Sequence, residues 1–185
     1  MIGEIIFVGA VTRHLTKRIN MEDYTKQYKL AKKCVKKLKK AGLRLATAES
    51  ITGGMIADSI VSVSGASEVY EEGYITYSDF SKMKNLFVDP SIIEQEGVVS
   101  KAVASAMAKG TLYEADSDYA LATTGCAGPK SDEYGTKVGD VFVACASKKE
   151  VIIRKYHFRG NRNKIRCRTT VAALKLLLEM LKNDM

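Results

Sequence analysis

The sequence predicts an α/β fold in which helices pack on a mixed central sheet, and three observations carry that expectation. From residue 44 onward, apolar runs of strand length alternate with segments of helical period. The last two strand-like runs are separated only by Lys148 and Lys149, the spacing of an antiparallel hairpin, so the sheet is not purely parallel. A chain of 185 residues, 46% hydrophobic and with only 2 Pro and 14 Gly, has the size and composition of one packed domain.

The elements follow in order. Residues 1–23 are a leader of uncertain order, whose run IIFVGAV reads either as an extra strand or as a poorly ordered extension; the domain is expected over residues 24–185. In residues 24–40, Tyr24, Tyr28, Ala31, Val35 and Leu38 recur at three- and four-residue steps, as one buried helical face requires, and Gly42 stands where a helix stops. RLATA (44–48) is a short buried strand, and TGGMIADSIVSV (52–63) a helix opened by two glycines. YITYS (74–78) is a strand leading into a helical segment over Phe80–Leu86, and residues 91–97 form a short helix closed by Gly97. Ser100 can cap the helix KAVASAMAKGTLYEA, because its hydroxyl oxygen accepts from orphan backbone donors. DYALATTG (118–125) is a strand, and residues 126–137 have the Gly, Pro, Asp and Ser content of a surface loop. The hairpin spans residues 138–158, and a long helix from Asn163 to Lys182 closes the chain.

Several classes are excluded. No apolar stretch approaches the roughly 18 to 20 residues that cross a bilayer, so no membrane partner is expected. The opening apolar run carries Glu4 and lacks a basic start, which argues against a cleaved signal peptide. Cys34, Cys126, Cys145 and Cys167 show no CxxC spacing, and His14 and His157 are the only histidines. A disulfide framework or a metal centre is therefore not expected, and the chain reads as a reduced, metal-free cytoplasmic domain without a cofactor.

The net charge of +8 is uneven: residues 1–45 hold 12 Lys/Arg against 3 Asp/Glu, mostly within residues 24–40. A lysine-rich solvated helix face is the plain reading. Nucleic acid or an acidic partner bound through helix 24–40 is the alternative; it is disfavoured because no aromatic stacking ladder or nucleic-acid motif accompanies the lysines.

TAESITGG (47–54) is the most informative stretch. A short apolar strand ends, Glu49 and Ser50 follow, and Gly53 and Gly54 open a helix. Glycines let a substrate approach the backbone, and exposed N–H groups there can receive developing negative charge. Ser50 reads either as a helix cap or as a nucleophile. A nucleophilic serine needs a base, and neither histidine is well placed. Lys82, in YSDFSK (77–82), follows a strand end and can serve if burial lowers its pKa; otherwise it is a surface lysine. TTGCAGP (123–129) offers a glycine-rich turn after a strand, able to present donors to a phosphate or ribose. Cys126 lacks a paired histidine, which argues against catalysis by its thiol. Arg154, Lys155, Arg159, Arg162, Lys164, Arg166 and Arg168 form a second basic cluster, either a solvated face or, at Arg162, a phosphate ligand near a helix N-terminus.

Taken together, TAESITGG, YSDFSK, GVVSKAVASAMAKG, TTGCAGP, KVGDV and FRGNRNKIR occur in the order and approximate spacing of the CinA C-terminal domain family, which the chain resembles over about residues 24–182. The resemblance implies a single three-layer α/β/α sandwich that hydrolyses the carboxamide of nicotinamide mononucleotide, giving nicotinate mononucleotide and ammonia. It implies Ser50 as nucleophile, Lys82 as general base, and Tyr77 orienting the dyad or the substrate ring. Glu49, Thr52, Gly53 and Gly54 would form the substrate-side turn, whose N–H groups receive the oxyanion. Thr124, Gly125, Ala127 and Gly128 would hold the nucleotide, and Arg162 would meet its phosphate.

Three departures stand out. The loop after Pro129 reads KSDEYGTKVGDV, with Lys137 in place of proline and Asp140 in place of threonine; Ile51 fills a slot that often holds a smaller residue; and the leader is outside the pattern. The large domain that precedes this one in longer members has no counterpart in the sequence, so no activity seated there is expected. A homo-oligomer is expected, small α/β enzymes being often symmetric. The alternatives are a catalytically silent nucleotide- or nucleic-acid-binding adaptor of the same family, and an amidase acting on another pyridine or nucleotide amide.

Overall fold

The computed structural model describes residues 21–183. The chain runs α1 (Met21–Ala41), β1 (Leu45–Glu49), α2 (Met55–Val61), β2 (Tyr70–Tyr74), α3 (Asp79–Leu86), α4 (Pro90–Glu96), α5 (Lys101–Glu114), β3 (Tyr119–Gly125), β4 (Asp140–Ser147), β5 (Val151–His157) and α6 (Arg162–Asn183). The expectations for residues 1–20 lie outside the described residues. Residues 21–23, assigned to the leader by sequence, instead form the start of α1, with Glu22 and Asp23 in its first turn, where carboxylates favour a helix N-terminus.

The strands form one sheet in the order β2-β1-β3-β4-β5. β1 pairs in parallel with both β2 and β3, whereas β4 is antiparallel to β3 and to β5. The sheet is mixed, as the terminal hairpin predicts. Helices cover both faces. Leu45, Leu121, Val143 and Cys145 point into a core shared with Ala31, Val35, Leu38, Ile56, Ile60, Leu174 and Leu177 of α1, α2 and α6. On the opposite face the strands present Ala48, Ala120, Ala122, Ala144 and Ala146 to Leu86, Ile93, Val103, Ala104 and Met107 of α3, α4 and α5. A face of alanines lets α5 lie close to the strands, since no side chain larger than a methyl holds it off. Gly110 of α5 meets the α3 terminus in the same way, because a Cβ there would collide with the Leu86 carbonyl oxygen.

Three elements differ from the sequence expectation. The second strand is Tyr70–Tyr74, not residues 74–78. Its register is imposed by β1, with Leu45 opposite Tyr70 and Ala48 opposite Tyr74. As an edge strand it has little buried surface to leave an apolar pattern. Gly73 is required there: its missing Cβ leaves room for the Tyr70 ring, whose Oη hydrogen-bonds Thr47 Oγ1 at 2.6 Å. Helix α2 is shorter than the expected 52–63, since Gly53 (φ 58°) and Gly54 (φ 93°) adopt left-handed conformations and delay helical geometry to Met55. In α1 the buried face is Gln27, Ala31, Cys34, Val35 and Leu38, while Tyr24 and Tyr28 are exposed. Gln27 enters the interface because its Nε2 donates to the Cys167 carbonyl of α6.

Helices α3, α4 and α5 start at side-chain caps. Ser78 accepts from Ser81 N–H, Asp89 from Ser91 N–H, and Ser100 from Val103 N–H as the sequence predicts. Among the described residues, no helix is long and apolar enough to cross a membrane.

Candidate active site

β1 and β3 are parallel neighbours, so their carboxyl ends emerge side by side. The connection from β1 to β2 runs through α2 on one face, and that from β2 to β3 runs through α3–α5 on the other. A crevice opens where such connections diverge, outside the carboxyl edge. Here the crevice is a cavity of about 240 Å³, walled by residues following β1 (Ser50, Ile51), β3 (Thr124–Gly128) and the loop beyond (Lys130, Asp132), and by Tyr77, Asp79 and Lys82. Val98, Val99 and Arg162 complete it.

Ser50 continues β1 by one more ladder bond, its N–H donating to the Thr123 carbonyl at 3.1 Å. This fixes the backbone of Ser50 beside β3. Ser50 does not cap α2. Glu49 does so instead: its carboxylate, 1% exposed, accepts from Gly54 N–H (3.0 Å), Ile56 N–H (3.0 Å) and Ala57 N–H (2.8 Å). Glu49 is therefore placed behind the serine, away from the cavity wall. Thr52 is also turned inward, its hydroxyl bonded to Thr123 Oγ1 at 2.8 Å, and Gly53 and Gly54 likewise stand off the wall. The Gly54 N–H, a member of the turn expected to receive an oxyanion, is committed to Glu49. Arg166 braces this turn from α6 by donating to the Ile51 and Thr52 carbonyls.

The anchoring of the turn by Glu49 gives a test. Glu49→Gln removes the charge and sets an amide –NH₂ against a backbone N–H, so at least one buried donor loses its acceptor. A loss of about 2–4 kcal/mol in unfolding free energy is expected, following the cost of unsatisfied hydrogen bonds to charged groups and of a lost helix-terminus charge. Urea titration with an unchanged m value measures it; a loss below about 1 kcal/mol would show that the turn is held by other contacts.

Among the described residues, Lys82 is the largest fully buried side chain, 1% exposed. Its Nζ donates to the Tyr77 carbonyl (3.2 Å) and to Asp79 Oδ1 (3.3 Å). Burial drives its pKa below the ordinary lysine value, while Asp79, by charge and by hydrogen bond, opposes that shift. Ser50 and Lys82 thus share one cavity, and in the resting arrangement the amine is bonded to Tyr77 and Asp79 rather than to the serine hydroxyl.

Arg162, the first residue of α6, reaches back over the cavity. It donates through Nη1 to the Gly128 carbonyl and through Nη2 to Tyr77 Oη, both at 2.8 Å, tying the loop after β3 to the segment before α3. Thr124 donates to the Val98 carbonyl at 2.8 Å, so its hydroxyl holds the α4–α5 connection in place. Gly128 leaves its φ of 78° and its Cα to a tight approach by Val138 Cγ1, 2.7 Å from where a Cβ would stand.

Of the residues expected from sequence, the cavity brings together Ser50, Lys82, Tyr77, Thr124, Gly125, Ala127, Gly128 and Arg162, and leaves out Glu49, Thr52, Gly53 and Gly54. It adds Asp79, Lys130 and Asp132, which the sequence reading passed over. Asp79 was detectable in principle, standing three residues before Lys82 on a capped helix. Asp132 lies in a loop with no period to read. Cys126 is buried on the wall and its thiol donates to the Lys130 carbonyl at 3.4 Å. Asp140 faces away and pairs with His157 Nδ1 at 2.7 Å. The lysines of α1 lie on the other layer, where Lys26, Lys29 and Lys33 share a groove with Lys175.

Fold and cavity together define a class: an α/β/α domain with a serine and a buried lysine on one polar cleft at the carboxyl edge of two parallel strands. Comparisons with known proteins narrow it. The model of the CinA C-terminal domain matches residues 27–181. A CinA-like protein of Geobacter sp. (strain M21) is 44% identical over 140 residues, covering 76% of this chain and 34% of its own length. A putative competence-damage inducible protein of Clostridium beijerinckii is 37% identical over 168 residues, covering 91% of this chain and 39% of its own. Among solved structures, a competence-damaged protein (CinA) superfamily protein from Klebsiella pneumoniae superposes with a TM-score of 0.82 at 30% identity, over 85% of this chain and 98% of that one. Another from Escherichia coli gives 0.81 at 34% identity, over 83% and 90%. The chain belongs to the CinA C-terminal domain family. It spans about a third of the length of the curated relatives it matches.

Proposed function

We propose that this domain is an amidohydrolase acting on nicotinamide mononucleotide, converting it with water to nicotinate mononucleotide and ammonia through an acyl-enzyme on Ser50. The observation that carries the reading is the placement of Ser50 and a fully buried lysine on the same polar cavity. Burial favours the neutral form of this lysine, so it becomes a base at a lower pH than an exposed lysine does.

In this reading the Lys82 amine swings from its resting partners to the Ser50 hydroxyl and takes its proton. Oγ attacks the carboxamide carbon, forming the C–O bond. The resulting ammonium returns the proton to the amide nitrogen as the C–N bond breaks, and ammonia leaves. Water then attacks the ester, again giving a proton to Lys82, and Ser50 Oγ leaves with that proton. The positively charged pyridinium of the substrate makes the carbonyl more electrophilic and disfavours protonation of a nearby amine. In this reading Tyr77, held by Arg162, would bound the ring, and the cations Arg162 and Lys130 on the cavity wall suit a phosphate.

A coupled ammonia assay across nicotinamide, its riboside, its mononucleotide and the dinucleotide tests the reading. The mononucleotide is expected to be the preferred substrate, with kcat/KM at least about tenfold above the riboside, one good phosphate contact being worth that much. Release of ammonia from none of the four would overturn it.

A further inference from the structure

Asp79 is the carboxylate that holds the proposed base. It opens α3, and its Oδ1 lies 3.3 Å from Lys82 Nζ, which also donates to the Tyr77 carbonyl at 3.2 Å. Both side chains line the cavity, yet they differ in exposure: Lys82 is 1% exposed and Asp79 36%. A carboxylate has roughly four lone-pair sites, and the Lys82 amine occupies one, so Asp79 can face a second cation. The other charged groups on the wall are Lys130, Asp132 and Arg162. Arg162 is committed to Gly128 and Tyr77, and Asp132 Oδ1 accepts from the N–H groups of Tyr134 and Thr136. Glu133, Glu94 and Asp132 act with Asp79 by charge on the Tyr134 hydroxyl, so the surroundings of Asp79 are acidic. Among the described residues, the charged group that acts on the Lys82 amine is Asp79.

We propose that Asp79 reads the positive charge of the substrate ring, which replaces the Lys82 ammonium as its partner and so frees the amine to reach Ser50. The inference rests on the amidohydrolase reading above. In that reading the amide carbon sits between Ser50 Oγ and the Lys82 amine, and the ring is bonded directly to that carbon. The ring charge is thereby brought close to a carboxylate that is itself one hydrogen bond from Nζ. A cationic ring and an ammonium then compete for one carboxylate, and like charges at that range repel. The ammonium has an outlet that the ring lacks, since it can give its proton to water. A quaternary ring nitrogen carries no proton to lose, so the ring keeps its charge and Lys82 becomes the neutral base. An amide on an uncharged ring leaves the Lys82–Asp79 pair intact and the base parked. Asp79 therefore selects cationic over neutral amides, and substrate itself releases the base.

The test is calorimetric binding to the full chain carrying Ser50→Ala, so that ligand is not consumed. The ligands are nicotinamide mononucleotide and its 1,4-dihydro form, which keeps the amide, ribose and phosphate but has an uncharged ring. The mononucleotide is expected to bind at least about tenfold more tightly, the worth of one charge pair at a partly exposed carboxylate. Titrations in buffers of different ionisation enthalpy count the protons released. The two ligands carry the same phosphate, so the excess released by the mononucleotide reports the loss from Lys82. Adding Asp79→Asn keeps the size of the side chain and an acceptor oxygen, and should bring the two ligands within about threefold of each other. Adding Lys82→Met instead should abolish the excess. Four results would overturn the proposal: equal affinity for the two ligands with Asp79 intact, a preference that survives Asp79→Asn, no excess proton release at any pH, or an excess that survives Lys82→Met. Binding of neither ligand would overturn it together with the nucleotide reading. Charge-selective binding without ammonia release by the parent chain would support it and remove the hydrolytic reading alone.

Discussion

Ser50→Ala protein is expected to release ammonia from nicotinamide mononucleotide at least about 1000-fold more slowly than the parent chain, with little change in folding stability. The rate loss follows because the proposed acyl-enzyme needs Oγ, and removing a nucleophile that acts as a unit with its base abolishes most of the catalysis. Stability should hold within about 0.5 kcal/mol, since what anchors Ser50 is its backbone N–H on Thr123, which alanine keeps. A variant within tenfold of the parent rate would mean that water, not the serine, attacks the amide.

Lys82→Met should move activity and stability in opposite directions. As general base, Lys82 accounts for about 100- to 10 000-fold of the rate, and methionine cannot accept a proton. For folding, an amine that is 1% exposed must be buried charged below its lowered pKa, and that desolvation is only partly offset by Asp79. A methionine of similar length fills the space without that cost, so a gain of about 1 kcal/mol is expected. The pH dependence fixes the sign. Between the lowered folded-state pKa and the ordinary value of 10.5, the unfolded chain binds the extra proton, so the Lys82 contribution to stability rises with pH through that window. The parent chain should therefore gain stability relative to Lys82→Met as pH rises. Its kcat/KM should climb along one basic limb as the amine deprotonates, and the variant should lack that limb. Chemical denaturation at several pH values, with parallel rate profiles, measures both. A Lys82→Met protein that is less stable at every pH, or that keeps the limb, would remove Lys82 from the role of base.

The legibility of the chain divides along physical lines. Helices α3 to α6 were readable because their signals are local: Ser100 as cap, Gly97 as stop, leucines at helical spacing. The hairpin was readable from two apolar runs and a two-lysine turn. β2 was misplaced by four residues at its start because an edge strand borrows its register from β1 and leaves no burial pattern of its own. The motif TAESITGG pointed at the right place, yet its carboxylate turned out to serve the helix terminus rather than the cavity.

By itself the sequence determined the α/β class, the order of nearly every element, and the family, because periodicity, caps and motif order are written in neighbouring residues. Only the tertiary structure decided that Ser50 and Lys82 share a cavity, that Lys82 is stripped of water, that Glu49 looks away, and that Asp79 and Asp132 join the lining. Those properties are set by what two layers of helices exclude from solvent, and burial of that kind belongs to the packed sheet and not to any one segment.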